Sequence, residues 1–184
     1  MASVFVITGP SGVGKGTLIA ALRQRHPQLE LSVSATTRPP RPGERDGVAY
    51  HFLSGEDFER RLTQGEFVEH ATYAGHRYGT LRSELERRTH GGAPVVLELE
   101  LQGARQIRAA MPDAVAIFIA PASFEQLRER LLERGVDDAA GVERRLAIAQ
   151  TELAAREEFR FVVVNDDVER AVAELDAIYV QYAE

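Results

Sequence analysis

One lysine stands among 22 basic residues, at position 15; every other basic position is arginine. It closes the segment GPSGVGK, Gly9 to Lys15, which follows the apolar run SVFVIT and precedes the helical pattern GTLIAALRQRH. A G-x-x-x-x-G-K turn between a strand and a helix cradles phosphate. Its glycines let successive backbone N–H groups converge on an anion, and the helix adds its positive end. Lysine then reaches the outer phosphates as a compact point charge on a flexible stem, where a guanidinium fork is bulkier and geometrically committed. The bland alternative is a glycine-rich turn with a solvated lysine. The residue after Lys15 is Gly16 rather than Ser or Thr, so the hydroxyl that usually meets magnesium falls to Thr17, directly or through water.

Two more clusters could do chemistry. In PVVLELEL the carboxylates Glu98 and Glu100 are two apart, which on a strand puts both on one face, with Leu97, Leu99 and Leu101 on the other. Carboxylates in an apolar strand are costly unless paired or metal-bound. They read either as one acid for magnesium or its waters and one for an acceptor substrate, or as partners of arginines. In SATTRPPRPGERDGVAY, Arg38, Arg41 and Arg45 lie among prolines and lead to Tyr50. Arginine forks and a tyrosine hydroxyl suit a second phosphate. Composition alone allows a solvated surface loop equally well.

The elements that must position these groups follow from patterning. Apolar runs at 3–8, 29–34, 94–101, 114–120 and 159–165 alternate with amphipathic stretches: ARQIRAAM, SFEQLRERLLERG with Ser123 as N-cap and Gly135 as stop, VERRLAIAQTELAAREEF, and a last helix over 167–183. That alternation predicts an α/β fold, a parallel sheet flanked by helices. Residues 34–80 break the rhythm. Their Pro- and Arg-rich loop, short helix GEDFERRLTQG and hairpin-like FVEHATYAGHRYG read as a small mixed insertion with antiparallel character. Residues 134–146, where Gly and Asp interrupt two helices, read as a mobile segment within a unit set apart over 134–150. One domain is expected, with core 1–33, 81–133 and 151–184.

A net charge of −6 argues against a broad nucleic-acid or membrane-surface footprint. The absence of cysteine excludes disulfides, thiol chemistry and Cys-based zinc sites. No stretch has the length of a membrane span, and the N-terminus has no signal-peptide pattern. A cytoplasmic protein is expected, without nucleic-acid, membrane or obligatory protein partners, and the outer face of the last helix gives no sign of an oligomer.

GPSGVGKGTL, SVSATTRPPRPGERDGVAYHF, GEFVEHATYAGHRYGT, LELELQG, RLLERG, RRLAIAQTEL and VVVNDD occur here in order, and with this spacing the chain resembles guanylate kinases of the bacterial, single-domain type along essentially its whole length. The resemblance implies a P-loop kinase core with a GMP-binding insertion and a lid. It implies transfer of the γ-phosphoryl of ATP to GMP, giving ADP and GDP, with Mg2+ as cofactor and dGMP a second candidate acceptor. By resemblance ATP lies along Gly9, Pro10, Ser11, Gly12, Val13, Gly14, Lys15, Gly16 and Thr17, with Arg134 and, near the adenine, Asn165. GMP phosphate falls to Arg38, Arg41, Tyr50 and Tyr78. Guanine falls to Ser34, Glu69 and Thr80, with Glu100 nearby. Thr17 and Glu98 stand for magnesium, partly through water. Lys15, Arg38, Arg130 and Arg145 are the implied catalytic cations.

Guanine supports the Glu69 assignment chemically. Its N1–H and 2-amino group lie side by side, so one carboxylate accepts both; adenine offers a lone pair at N1 instead. The chain departs from relatives that carry Asp-x-Asp at Glu98 and Glu100, and it has Val136 where a threonine is common. The acceptor is already an anion, so direct in-line transfer needs no strong base and no phospho-enzyme. The five histidines form no nucleophile–base arrangement. Two rival readings are a scaffold domain that binds ligand at the GMP site without catalysis, and a kinase for another nucleoside monophosphate. The intact P-loop argues against the first; Glu69 and Ser34 argue against the second.

Overall fold

The structure is a computed structural model and describes residues 3–133 and 139–183. Five parallel strands form the main sheet: β1 (Val4–Thr8), β2 (Glu30–Leu31), β7 (Val95–Glu98), β8 (Val115–Ala120) and β9 (Phe161–Val164), in the order β2-β7-β1-β8-β9. The apolar run of β1 is buried along its whole length because both faces are covered. One face packs α1 (Lys15–Arg25), α5 (Phe124–Glu133), α6 (Ala139–Ala154) and α7 (Val168–Tyr182) around Ile7, Leu18, Ile117, Leu127 and Leu175. The other packs α3 (Arg82–Thr89) and α4 (Leu101–Ala110) around Val6, Leu97, Ile107 and Phe118. Chain order reverses around β1, so the turn after β1 opens into a crevice at the C-terminal ends of the strands.

A second sheet holds β3 (Ala35–Thr36), β4 (His51–Phe52), β5 (Phe67–Tyr73) and β6 (His76–Leu81), in the order β4-β3-β6-β5. The pair β3–β4 is parallel; β3–β6 and β5–β6 are antiparallel, which gives the mixed character expected of the insertion. With α2 (Gly55–Thr63) it makes a small core of Ala35, Phe58, Phe67 and Leu81, in which the Phe58 and Phe67 rings stack at 4.4 Å.

Some boundaries differ from the sequence expectations. The strand expected at 29–34 pairs only over Glu30–Leu31, although the Ser32 N–H still donates to the Val96 carbonyl. The strand expected at 94–101 ends at Glu98, because the chain leaves the sheet there and starts a helix at once. Glu100 is the N-cap of α4, with its carbonyl accepting from the Ala104 N–H. The two carboxylates therefore do not ride one strand face. Helix α3 had no clear pattern, since only Glu84 and Leu85 are buried in it. Ser123 caps α5 as expected, its Oγ accepting from the Gln126 N–H at 3.1 Å. The stop at Gly135, like Arg134 and Val136, lies outside the described residues. Helix α6 runs unbroken past residue 150 to Ala154.

Candidate active site

The turn after β1 is shaped by backbone that only glycine takes readily. Gly9, Gly12 and Gly14 have φ of 138°, 85° and 97°. A Cβ at Gly9 would lie 2.2 Å from the Ile119 carbonyl oxygen, so the loop is pressed against β8. Lys15 is buried and folds back over the loop, its Nζ donating to the carbonyls of Gly9 at 2.6 Å and Pro10 at 3.2 Å. The Val13 side chain is fully buried in the core and its N–H donates to the Pro10 carbonyl at 3.2 Å, so it shapes the loop from behind.

Three side chains brace this turn. Asn165 Nδ2 donates to the Val13 carbonyl at 2.8 Å. Arg130 donates to the same carbonyl and to that of Asn165. From α6, Arg145 donates to Ser11 Oγ at 2.8 Å. Asn165 Oδ1 is buried without a hydrogen-bond partner among the described residues, and Asn165 lines a side cleft with Gly12, Gly14 and Thr17. An orphaned buried acceptor suits an amino group brought by a ligand.

The main cleft, about 1300 Å³, runs from Lys15, Gly16 and Thr17 to the insertion. Ser34, Arg38, Arg41, Tyr50, Glu69 and Tyr78 line its far side, with Glu98 and Glu100 between the two ends. Thr80 does not line it. It is buried behind Glu69, and its Oγ1 donates to Glu69 Oε1 at 2.7 Å. Arg38 is buried. Its guanidinium donates to Glu44 Oε1 at 2.8 Å and lies near the Tyr50 and Phe52 rings. Glu44 Oε2 also accepts from the Arg41 N–H at 2.7 Å. One carboxylate thus pairs with the Arg38 guanidinium and fastens the Arg41 backbone, and the Arg38 hydrogen bond raises the Arg38 pKa and lowers that of Glu44. Burial, reinforced by Glu98, pushes the Tyr50 hydroxyl up to about 12, so it stays a proton donor.

Glu69 is 3 % exposed, and burial pushes its carboxyl up to about 7 against the lowering effect of the Thr80 hydrogen bonds. Burial also raises Glu100, with Lys15 opposing. Sequence reasoning missed a third acid, Glu152 of α6. It is buried facing Glu100, and burial followed by that neighbour pushes it to about 8. Its signal was present: Glu152 continues the buried stripe of Val142, Leu146 and Ala149, where an apolar residue is expected. Tyr73, also missed, lines the cleft with its pKa raised by burial and by these acids. Glu44 left no signal at all, since it sits in an irregular loop.

Among the described residues no group of three or more His, Asp or Glu side chains could hold a metal alone. Glu98 Oε2 is 3.9 Å from where a Cβ on Gly16 would sit, which places one carboxylate beside the exposed Thr17 at the head of α1. That pair fits magnesium as it binds nucleotides, by one or two protein oxygens with phosphate and water supplying the rest. No helix among the described residues is long and apolar enough to cross a membrane.

A sequence model of the guanylate kinase family matches residues 1–182. A guanylate kinase of Frankia casuarinae is 55% identical over 175 residues, covering 95% of each chain. One of Thermosynechococcus vestitus is 54% identical over 173 residues, covering 94% of this chain and 91% of its own. The crystal structure of guanylate kinase from Anaplasma phagocytophilum superposes with a TM-score of 0.82 at 32% identity, over 100% of this chain and 87% of that one. With a P-loop, a mixed-sheet insertion and a cleft between them, the chain belongs to the guanylate kinase family.

Proposed function

We propose the following division of labour for ATP-dependent phosphorylation of GMP to GDP, the reaction of this family. The loop from Gly9 to Gly14 and the head of α1, with Gly16, hold the ATP phosphates, and Lys15 leaves the Gly9 and Pro10 carbonyls to meet the β- and γ-phosphoryl oxygens. Asn165 Oδ1 accepts from the adenine amino group, and Arg134 and Arg130 flank the nucleotide. Across the cleft Arg38 and Arg41, with the hydroxyls of Tyr50 and Tyr78, bind the GMP phosphate. Glu69 accepts N1–H and the 2-amino group of guanine, with Thr80 and Ser34 fixing its surroundings and Glu100 close by.

Magnesium fits between Thr17 and Glu98, partly through water, where it would offset phosphate charge. The chain's own work is alignment: Lys15, Arg38, Arg130 and Arg145 bring two anions together and stabilise the charge shared between them. No side chain has to take a proton from the acceptor. Residues 34–80 act as the GMP-binding insertion and 134–150 as a lid, and their closure excludes water and so suppresses ATP hydrolysis. The reading includes a cytoplasmic location and no required protein partner.

The observation that carries it is the buried Glu69 carboxylate across the cleft from Lys15. The test is ADP release by the purified protein with ATP, magnesium and either GMP or AMP. Turnover with GMP and little with AMP is expected. Folded protein that binds GMP but turns over neither substrate would favour the scaffold reading.

A further inference from the structure

Gly103, which closes the LELELQG segment, is a buried residue in the first turn of α4. Its φ is not positive, unlike those of Gly9, Gly12 and Gly14, so the backbone does not require glycine there. Glycine is among the weakest helix formers, and alanine is the ordinary residue for a buried helical position. The reason for glycine is space. A Cβ at this position would lie 2.2 Å from Glu69 Oε2, 3.0 Å from its Cδ and 3.7 Å from its Cγ. All three nearest atoms belong to one side chain.

The surroundings prevent the strand from sliding away. Strand β5 is the edge of the second sheet, and α4 fastens to it through two amides. Gln106 accepts from the His70 N–H at 3.1 Å and donates to the His70 carbonyl; Gln102 accepts from the Thr72 N–H at 3.3 Å. On the other side β5 pairs with β6, and a bulge between Phe67 and Glu69 sets how Glu69 is aimed. Thr80 holds Oε1. With strand and helix fixed, a Cβ at 103 can be relieved only by moving the carboxylate, the flexible end of its side chain.

We propose that Gly103 is a specificity-determining positioning residue, whose bare Cα is the seat that holds the Glu69 carboxylate against the guanine edge. The inference rests on the reading of Glu69 as the guanine acceptor. Its prediction is that Gly103→Ala folds but loses base discrimination. KM for GMP rises about 10- to 100-fold, the range expected when hydrogen bonds to a charged group are lost. KM for ATP stays within about twofold, because the P-loop is untouched. The preference for GMP over IMP, which lacks the 2-amino group, shrinks about tenfold.

The experiment measures GMP, IMP and ATP kinetics for the wild type, Gly103→Ala and Glu69→Gln. A GMP constant or a GMP-over-IMP preference left unchanged in Gly103→Ala, while Glu69→Gln loses that preference, overturns the role of Gly103 alone. Should Glu69→Gln itself keep the preference, the reading of Glu69 fails and this inference with it. Melting temperatures decide the matter if Gly103→Ala does not fold. With the carboxylate removed, Glu69→Ala/Gly103→Ala should melt no lower than Glu69→Ala. A clearly lower melting temperature would mean that the added methyl meets something other than Glu69, and would overturn the proposal.

Discussion

On the P-loop side of the cleft the recognising groups are mostly backbone. Three glycines with positive φ, a helix N-terminus and one lysine make the cradle, and seven consecutive residues specify it. On the insertion side they are side chains drawn from β5, β6, Ser34 just before β3 and the loop between β3 and β4, and two are buried charges: Arg38 and Glu69. Backbone amides recognise phosphate and are indifferent to what is attached to it. A buried carboxylate is selective because leaving it mispaired is costly. The difference teaches where each property resides: phosphate affinity in the first region, choice of base in the second.

The largest expected effect breaks the first region. Lys15→Arg keeps the charge but replaces the point donor that lies between Gly9 and Pro10, and kcat should fall about 100- to 1000-fold, as for loss of one preorganised transition-state donor. Near-normal ADP release would show that the ammonium is not what the turn requires.

The second prediction sharpens the contrast through pH. Free Glu69, pushed up to about 7, must lose its proton before it can accept two guanine donors. KM for GMP should therefore climb as pH falls below 7, by up to about tenfold per unit for a single proton. The GMP phosphate titrates in a neighbouring range, so Glu69→Gln is the reference: it should lack the limb that belongs to Glu69. An identical profile in both proteins would contradict the assignment.

The same group sets a smaller effect on stability without ligand. Its folded pKa of about 7 lies above the ordinary 4.5, so the folded protein holds the proton more tightly than the unfolded chain. The associated stabilisation is complete at pH below about 4.5 and is lost as pH rises through about 7. Glu100 faces Glu69, and Glu152 faces Glu100, so neighbouring acids contribute in the same direction. Urea midpoints from pH 5 to 8 should fall less steeply in Glu69→Gln than in the wild type.

The smallest effect separates the regions structurally. Ser54 caps α2 through the Asp57 N–H at 3.0 Å, and α2 carries Phe58 into the insertion's own core. Ser54→Ala should cost about 1 kcal/mol. Hydrogen exchange should report that loss in residues 34–80 and not at the P-loop.

Much of this was legible in sequence where chemistry is contiguous. The P-loop, the buried runs of β1 and β8 and the insertion's break in rhythm stand out because one local pattern specifies each. Strand ends were less legible. Glu100 looked like a strand residue because PVVLELEL alternates to its end, whereas the chain turns into α4 after Leu99. Gly103 and Glu152 were missed for a common reason: each matters through a partner distant in sequence, Glu69 for one and Glu100 for the other. Their local signals, a glycine in a helix and an acid on an apolar stripe, mark an exception without naming its partner.

The most direct test titrates both substrates against the wild type and Glu69→Gln. If base choice resides in the insertion alone, Glu69→Gln should lose about 100-fold in kcat/KM for GMP while KM for ATP stays within about twofold. Equal losses for both substrates would contradict the account.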